Sequence, residues 1–127
     1  MSAILPVAQR GDVILTLKAA SVAESEFNSA WLNELAAAMQ ATMLECNGVG
    51  IAAPQVYVSK RVIIVASRPN LRYPDAPEMD AVVMVNPEIL EFSQATTLGE
   101  EGCLSVPNER GQVQRAQSIK VLYHTLT

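Results

Sequence analysis

Phe27, Trp31, Leu35, Met39 and Met43 recur every four residues, with Leu32 and Ala36 beside them and Asn28, Asn33, Glu34 and Gln40 on other faces. That spacing follows the turn of an α-helix and predicts an amphipathic helix of about five turns. Ser21 to Glu26 carries start signals: serines as caps, and two glutamates where the helix dipole favours them. Asn47-Gly48 supplies the stop, because both residue types tolerate the left-handed conformation at a C-cap. A helix with one apolar stripe needs a second layer to bury it.

The rest of the chain predicts that layer as strands. "RVIIVAS" is β-branched and bounded by polar residues, so it reads as a buried strand. "AVVMVN" and "EILEFS" read as strands separated at Asn86-Pro87, and "GQVQRAQ" and "SIKVLYHT" as a final antiparallel pair. "RPNLRYPDAPEMD", with three prolines in thirteen residues, is a surface loop. The opening "VAQRGDVILTLKAA" reads as an extended arm with a turn at Gly11-Asp12. The expected class is α+β: a long N-terminal helix packed on short, mainly antiparallel strands, in one domain over residues 1–127.

Half of the residues are hydrophobic, which fits a packed core, and the net charge of −4 argues against DNA as a partner. Runs such as "VIIVA" and "AVVMV" are far too short to cross a bilayer. The N-terminus lacks the basic and long apolar regions of a signal peptide, so a cytoplasmic location is expected. Cys46 and Cys103 are then expected as free thiols.

Two short motifs carry chemistry. In "GVGIAAPQ", Gly48 to Gln55, small residues leave the backbone open to a bound chain, and Gln55 offers a neutral amide donor for a developing oxyanion. The plainer reading of that pattern is a tight turn built for close packing. A dinucleotide site fits less well still, since the glycines follow a helix instead of opening one after a strand. In "EGCLS", Gly102 permits unusual backbone angles beside Cys103, and the Leu104 N–H can face the same space as the thiolate. The plainer alternative is a cysteine buried as a small hydrophobe, the reading adopted for Cys46. A Cys–His nucleophile is a third option, with His124 as its sole candidate base.

Taken jointly and in this order, the two motifs resemble the first two signatures of the peptide deformylase family. "GDVILT", "VNPEIL" and "VPNERGQVQRAQSIKVLY" extend the similarity across nearly the whole chain, with Val13 where the family usually has proline. The resemblance implies removal of the formyl group from the N-terminal methionine of new polypeptides, near the ribosome. It implies an Fe²⁺ ion, or Zn²⁺ or Ni²⁺, held by one cysteine and two histidines. By resemblance Cys103 is the cysteine ligand, and Gln55 and the Leu104 N–H stabilise the oxyanion. Gly48, Gly50, Ile51 and Gly102 line the substrate backbone, and Arg110 stands at the mouth.

The family's third motif, HExxH, supplies both histidines and the general acid/base. The chain ends "SIKVLYHTLT", where His124 has no following glutamate and no partner one helical turn on. One cysteine does not make the three-ligand set of a catalytic metal, so this polypeptide is expected to be C-terminally truncated and inactive alone, without stable metal. If loss of that helix uncovers about 400 Å² of apolar surface, the missing burial is on the order of 10 kcal/mol. Net stability is itself only about 5–15 kcal/mol, so self-association or a complementing chain is expected. A deformylase needing completion is the first reading, a non-catalytic binder of peptide N-termini the second, and a Cys103–His124 enzyme the third.

Overall fold

The computed structural model describes residues 4–46, 48–67, 75 and 77–126. Among the described residues one α-helix, α1, spans Ala30–Glu45, and six strands follow: β1 Gly50–Ala52, β2 Val62–Ser67, β3 Met79–Phe92, β4 Thr96–Cys103, β5 Val106–Ala116 and β6 Ile119–His124. β1, β2, β3 and β6 form one antiparallel sheet in that order, and β4 and β5 form a separate two-stranded ribbon. The class is α+β.

α1 begins later than the serine and glutamate signals predict. Glu24–Glu26 closes only a single 3₁₀ turn, in which the Glu26 carboxylate accepts the Ala23 N–H at 2.9 Å. Asn28 then adopts φ 58°, which no right-handed helix can continue through, and its N–H donates to the Leu126 carbonyl at 2.6 Å. The helix restarts from Ser29, whose hydroxyl caps the Leu32 N–H. The buried stripe is accordingly Leu32, Leu35, Ala36, Met39, Thr42 and Met43, and Trp31 lies at its margin, 36% exposed. Gly48 N–H donates to the Met43 carbonyl and ends the helix, while Asn47 lies outside the described residues.

The helix packs on one face of the four-stranded sheet. Val62 and Ile64 of β2 and Val85 of β3 are essentially fully buried and join Leu32, Met39 and Met43 in one core. Ile63, Val65, Val82 and Met84 share the opposite face by the register Ile63↔Met84 and Val65↔Val82, and they remain partly exposed.

Asn86 does not separate two strands as expected. It sits at φ 51° in a bulge inside the continuous β3, and its side-chain amide pairs with both backbone groups of Val22 at 2.8 and 2.9 Å. The expected pairing of the last two segments is also corrected. Val106–Ala116 pairs with Thr96–Cys103, and Ile119–His124 pairs with β3. Crossed bonds between Ser93–Ala95 and Gln117–Ser118 join the base of the ribbon to the sheet. Most of the proline-rich segment lies outside the described residues.

Candidate active site

The site forms where a 3₁₀ turn meets the tip of a hairpin. Ala53–Val56 makes that turn directly after β1, with Pro54 suited to its start. Gln55 is its third residue, and its side chain folds back so that Oε1 accepts the Ala52 N–H at 3.0 Å. This bond assigns the amide's two ends and leaves Nε2 facing outward as a donor. Nε2 reaches Ser105 Oγ at 3.1 Å and Cys103 Sγ at 3.5 Å, both from the ribbon.

Leu104 and Ser105 form the two-residue connection of that ribbon, bracketed by the Cys103↔Val106 pair. The register shifts between Gly102↔Arg110 and Cys103↔Val106, so the extra residues lie on the β5 side and Cys103 closes the ladder. Cys103 is exposed, whereas Ser105 is buried at 3% exposure. The plainer reading of Cys103 as a buried small hydrophobe is thereby excluded. Cys46, expected buried, is half-buried at the end of α1, and both cysteines are free thiols.

A cleft of about 670 Å³ opens beside Cys103, lined by Glu101, Gly102, Val106, Arg110 and Val113 among others. Gln55 touches Cys103 from outside this lining. Arg110 Nε is 3.2 Å from the Glu100 carboxylate, so its charge at the mouth is balanced. Glu101 receives two hydrogen bonds from Arg115, at 3.0 and 2.9 Å, which hold its carboxyl below the usual range and raise the guanidinium. Gly99 stands between them on the same face with nothing near its missing side chain, leaving room for the arginine to reach.

Gly48 and Gly50 have different environments. A methyl group on Gly48 would lie 3.0 Å from Leu104 Cδ1, so this glycine seats the hairpin tip. Gly50 belongs to β1, an edge strand. Val49 C=O accepts from Ala66 on the β2 side, so by alternation the Gly50 N–H and C=O project from the open edge. Ile51 is buried at 4% exposure and points its side chain into the core. The structure thus gathers Gln55, Cys103, Leu104 and Gly48, with Gly102 and Arg110 along the adjoining cleft.

His124 is not part of this assembly. It pairs with Val85 in the other sheet and stacks on Phe27 with ring centres 5.3 Å apart, so the Cys103–His124 enzyme has no support. Sequence reasoning missed Ser105 and the arm of residues 4–12. Ser105 had a signal as the last residue of "EGCLS"; the arm's turn at Gly11-Asp12 was read correctly, but its contacts with Gln55 and Ser105 were not, because they run through backbone groups.

No group of three His, Cys, Asp or Glu converges among the described residues, and the residues outside them include none of these types. A catalytic metal of the zinc type wants three protein ligands. Cys103 alone is suitably placed, so the 127 residues do not fit a complete metal site.

Residues 4–127 match the family model described as polypeptide deformylase. The chain belongs to that family. It is 48% identical over 122 residues to peptide deformylase 2 of Shewanella oneidensis, covering 96% of this chain and 66% of that protein. Peptide deformylase 2 of a Nostoc species is 49% identical, again with 66% of its length covered, so the chain spans just under two thirds of these curated relatives. A Met-Ala-Ser-bound class I type b peptide deformylase from Acinetobacter baumannii is 75% identical, with a TM-score of 0.96 over 99% of this chain and 79% of that one. Among the described residues no helix is long and apolar enough to cross a membrane.

Proposed function

We propose that this chain supplies the peptide-binding wall, the oxyanion donors and one metal-ligating thiolate of a peptide deformylase acting on formylated peptide N-termini. The observation that carries this reading is the 3.5 Å approach of Gln55 Nε2 to Cys103 Sγ. It brings a neutral donor beside the cysteine sulfur, where in this reading a formyl oxygen gains charge. Of the two N–H groups on Nε2, one is engaged by Ser105 Oγ, and the other, directed at Cys103 Sγ in the free chain, turns to the oxyanion when substrate is bound. The Leu104 N–H is the second donor.

An extended substrate adds to the open edge of β1, with Gly50 exchanging backbone hydrogen bonds, Ile51 holding the edge in place from the core, and Gly102 on the opposite wall. Met-Ala-Ser bound to the Acinetobacter enzyme supports a peptide in this cleft. Arg110, paired with Glu100, borders the path of the substrate's second side chain.

The family uses Fe²⁺, or Zn²⁺ or Ni²⁺, to activate water. With Cys103 as its single placed ligand, the 127-residue polypeptide by itself holds no stable metal and does not turn over. Purified chain, supplied with Fe²⁺ or Zn²⁺ and formyl-Met-Ala-Ser, tests this. Retention of one ion per chain with steady release of formate would overturn the proposed inactivity.

The same donor count favours a second reading, a binder of peptide N-termini without hydrolysis. Saturable binding of Met-Ala-Ser by this chain with no formate released from the formyl peptide distinguishes it. The partly exposed face of Ile63, Val65, Val82 and Met84 supports a further layer over the sheet, from a second copy or a complementing chain. Sedimentation of the purified chain tests that layer. The proposed setting is the cytoplasm, near the ribosome.

A further inference from the structure

The arm of residues 4–12 touches both motifs, and it does so in a fixed sequence of contacts. The Leu5 N–H donates to Thr42 Oγ1 on α1 at 2.9 Å, which anchors the start of the arm on the helix. The Ala8 N–H then donates to the Gln55 carbonyl at 2.6 Å, and the Arg10 N–H to the Ser105 carbonyl at 2.8 Å. Gln9 Nε2 lies 3.5 Å from the Leu104 carbonyl. Two successive outward-facing amides therefore bridge the Gln55 turn and the hairpin tip.

The arm then turns at Gln9–Asp12. Asp12 N–H donates to the Gln9 carbonyl at 2.9 Å, and Gly11 takes φ 101° at the third position, where a type II turn requires glycine. One carboxylate oxygen of Asp12 closes this turn by accepting the Gln9 N–H at 2.8 Å. That same oxygen accepts the Tyr57 O–H, also at 2.8 Å.

Tyr57 lies two residues after Gln55 and is left-handed, with φ 66° and ψ 26°. A bulky aromatic residue adopts that conformation only where its surroundings over-determine it. Its N–H closes the Gln55 turn onto the Pro54 carbonyl at 3.1 Å, while the residue as a whole is 49% exposed. The hydroxyl is the part of the side chain with a defined partner.

We propose that Asp12 and Tyr57 form a latch that positions Gln55. Their shared hydrogen bond locks the arm to the turn carrying Gln55, and the arm's backbone donors hold that turn against Ser105. Neither latch residue lines the cleft at Cys103, so both are positioning residues. The significance of Gln55 for chemistry rests on the deformylase reading, whereas the mechanical coupling does not.

Amide hydrogen exchange on the full chain, followed by NMR without substrate or metal, tests the latch independently of that reading. Tyr57→Phe retains the ring and the Asp12 charge and removes only the hydroxyl. It should speed exchange about fivefold at Ala8, Arg10 and Ala52, whose acceptors are the Gln55 carbonyl, the Ser105 carbonyl and Gln55 Oε1, as expected for loss of one net hydrogen bond. Met39 and Met43 in α1 should keep their rates. Asp12→Ala should match or exceed this effect, and Asp12→Asn should restore part of it because its amide oxygen still accepts. Acceleration confined to Gln9 and Asp12 would overturn the proposal, and so would an equal rise at Met39 and Met43. Should Asp12→Ala not fold, the Tyr57→Phe result alone decides.

Discussion

Gln55 Nε2 lies 3.5 Å from Cys103 Sγ, although 48 residues separate them in sequence. The contact depends on three local devices. The Ala52 N–H orients the amide, Ser105 Oγ receives one of its hydrogens, and the Cys103↔Val106 pair ends β4 with the thiol exposed.

Removing the amide should therefore cost stability as well as chemistry. Gln55→Ala leaves the Ala52 N–H and the buried Ser105 hydroxyl without this partner. The expected loss is about 1–3 kcal/mol. Urea unfolding should show a lower midpoint with an unchanged slope.

Gly48 and Leu104 form the other contact between the motifs. Gly48→Ala places a methyl 3.0 Å from Leu104 Cδ1, the far end of a flexible side chain, and a small rotation accommodates it. Gly48→Val cannot be accommodated so cheaply and should cost about 1–3 kcal/mol by overpacking. The Leu104 methyl resonances should move slightly in the first variant and strongly in the second.

The corrected helix stripe gives a direct comparison. Leu32 is fully buried while Trp31 is 36% exposed. Leu32→Ala should cost about 2–5 kcal/mol. Trp31→Ala, despite removing the larger side chain, should cost less in the same denaturation experiment.

Much of the fold was legible because its signals are local. "RVIIVAS" carries its own strand pattern, and the helix repeat survives even though its buried stripe is displaced from Trp31 to Leu32. The helix start was illegible because Asn28 is claimed by Leu126, almost a hundred residues away. β4 was missed because "TTLGEEGC" is rich in glycine and glutamate, poor strand formers. It is a strand by virtue of its pairing with β5, and without β4 the two last segments were paired with each other. Cys103 and Gln55 were legible from their motifs, but Ser105 and the arm emerge only from three-dimensional contacts.

Asp12 sets a pH dependence whose sign follows from its partners. The Gln9 N–H, and then the Tyr57 hydroxyl, hold its carboxyl below the ordinary value of 3.8. Its contribution is thus fully present above about pH 4 and is lost as pH falls through the lowered value. Unfolding curves of wild type and Asp12→Asn, measured at a series of pH values, should differ at neutral pH and converge in acid. A gap that persists unchanged in acid contradicts the assignment.

Titration of unlabelled Met-Ala-Ser into ¹⁵N-labelled chain, followed by NMR, tests most directly whether these residues form a peptide-binding wall. The expected result is saturable shifts at the Gly50, Gly102 and Leu104 amides and at the Gln55 side-chain NH₂, with the Leu32 and Met39 amides unmoved. Absence of shifts at millimolar peptide, or shifts confined to surfaces away from Gln55 and Cys103, would contradict it.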